Sequence, residues 1–277
     1  MAPSSVTGNL VVVGGGRMGE ALAAGLLAQG FPTGRLVVVE TSPERRRQLE
    51  ARPLPVAADV KEALDRWPTG SAEPVGAVIA VKPHDVEAVC VEVAAAGVAR
   101  VLSIAAGVTL EDLDRWLDPA AAIRAMPNTP ALVGCAASAV APGRRATAAD
   151  VDWATSVLSA VGTVVELPEP ALDAVTGLSG SGPAYVFLIA EALIDAGVLA
   201  GLSRPVARDL TVQTLLGSAH LLAETAEEPS ALRAAVTSPG GTTAAGLRAL
   251  ESAGVRAALL EAVMAATERA RELGRGR

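Results

Sequence analysis

The chain is short of lysine, aromatics, histidine and cysteine, and each shortage removes a class of chemistry. Only Lys61 and Lys82 occur among 277 residues, so the C-terminal half holds no amine for acid–base or Schiff-base work. Aromatic residues make up 2% of the chain. The core must then be built from Ala, Val and Leu, whose small side chains let helices approach closely. The two histidines, His84 and His220, and the two cysteines, Cys90 and Cys135, form no Cys/His cluster, which argues against a zinc site and against a disulfide framework. Each cysteine sits in an apolar stretch, and both read as reduced, buried thiols of a cytoplasmic protein. His220 falls in the helical pattern Leu215 to Leu222 with no G-x-S-x-G elbow or Asp partner nearby, and reads as a helix residue. Trp67, Trp116 and Trp153 read as gap fillers.

Positive charge is also scarce. Lys+Arg number 23 against 30 Asp+Glu, a net charge of −7, which argues against nucleic acid or an anionic membrane as the main partner. The start, MAPSSVTGNLVVVGGG, lacks the basic region and long apolar stretch of a signal peptide. The most membrane-like run, Val186 to Ala200, is short and carries Glu191 and Asp195. These readings describe a soluble, cytoplasmic enzyme or binding protein that takes a small-molecule ligand.

What is present begins with alternation. Leu10–Val13 and Leu36–Val39 read as strands, separated by a helix from Met18 to Leu27; Pro43 to Leu49 opens a second helix. Ala77–Val81 and Val101–Ile104 continue the strand series, with weaker candidates at Ala121–Arg124, Ala136–Val140 and Thr163–Leu167. Unbroken Val/Ile runs alternating with helices predict a parallel sheet buried on both faces. Beyond Pro168-Glu169-Pro170 the strand signals fade and Ala/Leu-rich helical stretches take over. The expected fold class is α/β: an N-terminal Rossmann-type dinucleotide-binding domain over residues 1–167, then an all-α dimerisation domain over residues 168–277. Tyr185 to Leu199 is apolar around nearly its whole circumference, which predicts burial on all sides or sealing by a partner subunit. Arg271 to Arg277 reads as a fraying end.

Gly14-Gly15-Gly16-Arg17-Met18-Gly19 contains G-x-G-x-x-G between a strand and a helix. Gly14 permits the tight turn, Gly16 lets backbone approach a pyrophosphate, and Gly19 lets helix and strand pack closely. Glu40 ends the second strand about twenty residues on, where an acid holds a ribose 2′-OH and favours NAD. Thr41, Ser42, Arg45 and Arg46 follow at once, and such groups suit a 2′-phosphate and favour NADP. Both signals stand, with the arginines alternatively forming a solvated first turn of helix.

Further candidates follow strand ends, where parallel sheets face their ligands. Ala80, Lys82 and Pro83 follow the third clear strand, with Lys82 placed to reach cofactor ribose or phosphate. Ala105, Ala106 and Gly107 end another strand without bulk, leaving room for nicotinamide or ribose. In Met126-Pro127-Asn128-Thr129-Pro130, Asn128 either contacts the nicotinamide end or satisfies the loop's own backbone. In the second half, Gly177-Leu-Ser179-Gly180-Ser181-Gly182-Pro183 leads into the apolar helix and reads as a helix start able to receive polar atoms, with Ser181 a candidate contact. Ser238-Pro239-Gly240-Gly241 separates two helical patterns. Thr242 and Thr243 open the second, where their hydroxyls are expected to cap it and its free N–H groups make a cradle for a carboxylate.

These segments resemble the pyrroline-5-carboxylate reductase family. The likeness rests on GLSGSGPAY at Gly177 to Tyr185 and VTSPGGTTAAGLRALE at Val236 to Glu251, together with VVVGGGRMGEAL, AVKP, AAGVTL and RAMPNTP in the first half. It runs over nearly the full length in order. The resemblance implies reduction of 1-pyrroline-5-carboxylate to L-proline, the last step of proline synthesis, with NADPH favoured and NADH possible. It also implies a substrate site at a dimer interface, and dimers that assemble into larger rings. It assigns Ser238, Gly240, Gly241, Thr242 and Thr243 to substrate carboxylate and ring nitrogen, with Thr243 as the hydrogen-bond partner of that nitrogen. Some members carry Asn before the Val of the VTSPGG-type segment, as a cofactor contact; here Ala235 stands there.

Three other readings remain at this point, one of them a different imine reductase. A β-hydroxyacid dehydrogenase usually carries an acid–base lysine on a substrate-domain helix, which this chain lacks. A non-catalytic nucleotide-binding protein is compatible with the fold alone.

Overall fold

The computed structural model describes residues 6–67 and 74–275. Its first compact unit runs from Met1 to Ser181 and takes in the chain again from Ala265; its second is Gly182–Met264. In the first unit the order is β1 (Asn9–Val13), α1 (Arg17–Ala28), β2 (Leu36–Val39), α2 (Pro43–Glu50), β3 (Val56–Ala57), α3 (Val60–Leu64), β4 (Val75–Ile79), α4 (Val86–Ala95), β5 (Arg100–Ser103), α5 (Leu110–Leu117), β6 (Ala121–Met126), β7 (Ala136–Pro142), α6 (Ala148–Ser159), β8 (Gly162–Glu166) and α7 (Leu172–Val175). Among the described residues the strands form one eight-stranded sheet, in the order β3-β2-β1-β4-β5-β6-β7-β8.

The strands are buried on both sides because their valines alternate between two cores. Leu10 and Val12 of β1 join Leu36, Val38, Val78, Leu102 and Ile123 against α1 and α6, through Leu22, Leu26, Val157 and Leu158. Val11 and Val13 join Val37, Val39, Ala77, Ile79 and Val101 on the other side, against Val60, Val93, Leu113 and Leu117. This is the period-two signature of a doubly wound sheet.

The sheet departs from an all-parallel one at a single place, where β7 runs antiparallel to β6. Only residues 127–135 connect these two strands, too short for the crossover that a parallel neighbour needs. The longer connection through α6 makes β8 parallel to β7 again. The two-residue β3 pairs with β2 and is too short to show as a pattern in the sequence.

Strands end at Glu166, where the sequence signals fade, but the first compact unit continues to Ser181. The reason is packing. Leu172 is fully buried among the core valines. Glu169 accepts hydrogen bonds from the Leu110 amide (2.6 Å) and from Arg124 Nη1 (2.8 Å).

The second unit holds α8 (Gly182–Leu199), α9 (Arg204–Thr225), α10 (Pro229–Ala235), α11 (Thr242–Ser252) and the first part of α12 (Val255–Arg275). Where α8 meets α9, a Cβ on Gly197 would lie 2.9 Å from Cβ of Ala207, so the glycine lets the helices close up. Asp195 and Arg204 pair across the turn at 2.9 Å. Among its described residues α8 buries none; Phe187 is 64% exposed and Leu188 65%. The sequence expectation for this helix therefore resolves away from burial within its own chain. The fraying expected from Arg271 is corrected as far as Arg275, because α12 remains helical to that residue and Leu273 lies beside Gly107 within the first unit. Residues 276–277 fall outside the described chain.

Candidate active site

The glycine-rich turn sits at the carboxyl end of β1, beside β4. Strand order reverses between β1 and β4, the position at which doubly wound sheets receive their ligands. Gly14 has φ +108, and a Cβ on it would stand 2.7 Å from the Ala80 carbonyl atoms. The turn and the segment after β4 thus touch, held by the bond from Ala80 N to Val13 O (2.8 Å). A Cβ on Gly19 would stand 2.0 Å from Gly14 O, whereas one on Gly16 would meet nothing within 4 Å. Gly14 and Gly19 are therefore required by the protein itself, and Gly16 is open on its outer side.

Gly16 caps α1 without a side-chain hydrogen bond. The amides of Arg17, Met18 and Gly19 precede the first helical bond, from Glu20 N to Gly16 O (2.9 Å), and so face outward at the positive end of the helix dipole. Open space over Gly16 and these amides fit a pyrophosphate. Arg17 and Lys82 are exposed, and among the described residues neither side chain has an ion-pair or hydrogen-bond partner.

The residues after β2 are tied to one another and to the glycine loop. Glu40 accepts from the Gly15 amide (3.1 Å) and from the Ser42 amide (2.8 Å). Arg45 donates through Nε to Gly15 O (2.8 Å), through Nη1 to Gln48 (3.1 Å) and through Nη2 to Glu20. Arg46 Nη1 donates to the carbonyls of Glu40 and Thr41, both at 2.8 Å. Ser42 caps α2 by accepting from the Arg45 amide (3.3 Å). The arginines are thus neither a solvated first turn nor free cations. Thr41 is exposed beside them. Glu20 and Gly15 were passed over in the sequence because a buried Glu four residues after Gly16 looks like any helix residue.

After β5, Ala105 is buried, Ala106 is exposed, and Gly107 adopts φ +75 next to Leu273. Pro83 is half-buried at the start of a short 3-10 turn. Asn128 is 8% exposed; its Oδ1 accepts from the Ala137 amide (2.9 Å) and its Nδ2 donates to Ser179 O (3.0 Å). Of the two roles considered for Asn128, these bonds serve the backbone one. Pro183 brings no N–H, which leaves the Ser179 carbonyl for this outside donor.

The SGSGP segment leads into α8 at Gly182, as expected, but that start is no free helix end. Leu172–Val175 is already helical, and Thr176–Gly180 continues as one turn of π-helix into Ser181, whose amide donates to Thr176 O (2.8 Å). Small residues allow the wider turn, and the hydroxyls of Thr176 and Ser179 bond back to Leu172 O and Val175 O. Such π-turns often mark functional sites.

The helix start at Ser238-Pro239-Gly240-Gly241 is real. Gly241 N donates to Ser238 O (3.0 Å) and Gly240 has φ +70, a type II turn with Pro239 at its second position. The capping expectation is corrected: Gly241 is the N-cap of α11 and no side chain caps the helix. Thr242 and Thr243 are its first two residues, so their hydroxyls are not spent on the backbone there. The first helical bond is Ala245 N to Gly241 O (3.2 Å), which leaves the amides of Thr242, Thr243 and Ala244 directed out of the helix end. A Cβ on Gly241 would lie 2.4 Å from Ser238 Oγ, which keeps that hydroxyl beside the turn.

Residues 169–273 match the family model for pyrroline-5-carboxylate reductase dimerisation, and residues 9–107 match that for coenzyme F420-dependent NADP oxidoreductases. The chain is 44% identical to a pyrroline-5-carboxylate reductase of Synechocystis sp., covering 96% of this chain and 98% of that one. This chain belongs to the pyrroline-5-carboxylate reductase family. Among solved structures, the Coxiella burnetii pyrroline-5-carboxylate reductase superposes with TM-score 0.89 at 35% identity over 97% of this chain and 99% of that one. The Plasmodium falciparum pyrroline carboxylate reductase, solved with NADP bound, gives 0.82 at 29% identity over 99% and 100%. Family membership accounts for the second unit: the exposed apolar faces of α8 and α9 lie in the matched dimerisation segment and serve self-association. The helical run Glu169–Leu199 is long and apolar enough to cross a membrane by length and composition, and the same apolarity is what a subunit interface requires.

Proposed function

We propose that this protein reduces 1-pyrroline-5-carboxylate to L-proline with NADPH as the preferred donor and NADH as an alternative, in the cytoplasm, as the last step of proline synthesis. The observation that carries this reading is the uncapped start of α11 in a segment that has no lysine. We assign the glycine loop, Arg17 and Met18 to the pyrophosphate, and Ala80, Lys82, Pro83, Ala105, Ala106 and Gly107 to the ribose and nicotinamide side. Thr41, Ser42 and Arg46 are the groups after β2 assigned to a 2′-phosphate. The bound cofactor supplies a hydride to the carbon of the cyclic C=N bond.

The chain's own task is orientation. A cyclic imine is basic enough to take its proton from water, so no strong side-chain acid is needed. The amides at the start of α11 hold the substrate carboxylate; each hydrogen bond to a charged group contributes about 1.5–3 kcal/mol. Thr243 Oγ1 accepts from the protonated ring nitrogen, and Thr242 and Ser238 complete the polar rim. Fixing the ring against the donor turns a bimolecular encounter into a positioned one, which is where most of the acceleration arises. We infer that the site is completed by the SGSGP segment of a partner subunit, with Ser181 as its contact. The division of labour between residues 1–167 and 168–277 is part of the same proposal. Consumption of NADPH and NADH with 1-pyrroline-5-carboxylate, with proline as the product, tests it; a hydroxyacid substrate oxidised in its place would favour the dehydrogenase reading.

A further inference from the structure

Gly15, the residue between the first two glycines of the G-x-G-x-x-G pattern, is gripped at both of its peptide groups. Its N–H donates to Glu40 Oε2 (3.1 Å), and its C=O accepts from Arg45 Nε (2.8 Å). A Cβ on Gly15 would lie 2.5 Å from Leu49 Cδ1, so the loop is pressed onto the β2–α2 connection. Arg45 is itself held: Nη1 on Gln48 and Nη2 on Glu20, which is 9% exposed and also pairs with Arg52. All three guanidinium nitrogens are occupied, and the buried Glu20 carboxylate faces both Arg45 and Arg52.

The consequence lies in the next peptide unit. The Gly15 C=O and the Gly16 N–H share one planar trans peptide and point in opposite directions. With the carbonyl drawn to Arg45, the Gly16 N–H is directed away from Arg45, on the loop whose outer side is open over Gly16. We propose that Arg45 is a positioning residue that aims the Gly16 amide at the cofactor pyrophosphate, and that it does not read the ribose 2′-phosphate. This rests on the reading above that the loop receives a dinucleotide. A pyrophosphate is common to NADPH and NADH, so the two cofactors must depend on Arg45 equally.

The test is calorimetric titration of NADPH and NADH into wild type, Arg45→Ala and Arg45→Lys, with amide hydrogen exchange of the ligand-free proteins. Arg45→Ala is expected to raise both Kd values by a similar factor of about ten, the size of one lost charge-assisted hydrogen bond. Exchange should quicken in the peptides covering residues 14–19 and stay unchanged elsewhere. Lysine keeps the charge but cannot bridge Gly15, Gln48 and Glu20 together, so Arg45→Lys should also weaken both cofactors. Weakened NADPH with unaltered NADH, or NADPH affinity restored by lysine alone, would show that Arg45 reads the 2′-phosphate and overturn the proposal. Unchanged affinities with unchanged exchange would overturn it too. Should the alanine variant fail to fold, Arg45→Lys carries the same comparison. If wild type bound neither dinucleotide, the proposed function would fall, while the exchange data would still report on the clamp.

Discussion

The glycines of the loop separate two quantities that are usually lost together, fold stability and cofactor affinity. A methyl group added at Gly19 would lie 2.0 Å from Gly14 O and 3.3 Å from Val12 Cγ1. The backbone must move, and overpacking of this kind costs about 1–3 kcal/mol. For a unit of this size each kcal/mol lowers Tm by about 2–4 °C, so Gly19→Ala should melt roughly 2–12 °C lower. At Gly16 the same methyl meets nothing within 4 Å, and φ is −66 with ψ −176, which alanine adopts freely. Alanine is a poorer N-cap than glycine but restricts the unfolded chain, and the two effects nearly cancel at about ±0.5 kcal/mol. Gly16→Ala should therefore keep its Tm within a few degrees. Its methyl would occupy the side from which a pyrophosphate approaches, and loss of one charge-assisted hydrogen bond of about 1.5–3 kcal/mol weakens binding about ten- to hundredfold. Calorimetric melting and NADPH titration on the two variants provide the assay. A Gly16→Ala protein that binds NADPH like wild type would refute the placement of the cofactor at this loop.

Other perturbations follow from the same structure. Thr243→Ala should lower kcat/KM by about ten- to hundredfold while NADPH affinity is unchanged, with Thr243→Ser recovering most of the loss. Phe187→Asp, placed on an exposed apolar helix, should leave a monomer in analytical ultracentrifugation that still binds NADPH; an intact oligomer would move the interface off that part of α8. Of the two thiols, Cys135 is exposed and Cys90 is buried, correcting the expectation that both are buried. Burial, with the nearby Glu87, pushes the Cys90 thiol up to about 12. Because that value is raised, Cys90 keeps its proton in the folded protein well above the ordinary thiol range and yields thiolate only in strong alkali. A disulfide reagent at pH 8 should label one cysteine rapidly; rapid labelling of both would contradict the burial of Cys90.

The fold was legible where burial forces a pattern. Val11 and Val12 of β1 face opposite cores, so the strand has to be a run of valines, and the same holds for β2. The antiparallel β7 was hidden, because direction is decided by the length of the connection after Met126 and not by any residue in the strand. The start of α8 beside Ser181 was legible, but the π-turn before it was not, for a related reason. Gly and Ser normally open helices, and only the packing of Leu172 and the backbone bond to Thr176 show that the helix is already under way. At the cofactor end, the glycine spacing named Gly14, Gly16 and Gly19 correctly as to the space around each. The arginines beside Glu40 could not be interpreted from their charge, since their partners are the carbonyls of Gly15, Glu40 and Thr41 and the side chains of Gln48 and Glu20, a set that no sequence pattern displays. At the start of α11 the sequence indicated the helix start but gave its capping to the threonines, whereas Gly241 stands at the N-cap, no side chain caps the helix, and both hydroxyls stay uncommitted there.

The central claim is that a lysine-free helix start, by orientation alone, serves the reduction of a cyclic imine. Its most direct measurement is the stoichiometry of NADPH oxidised to proline formed from 1-pyrroline-5-carboxylate, by wild type and by Thr243→Ala. One proline per NADPH in wild type, with the rate falling sharply in the variant at unchanged cofactor affinity, is the predicted result. Tight NADPH binding with no turnover of the imine, or turnover indifferent to Thr243, would contradict it.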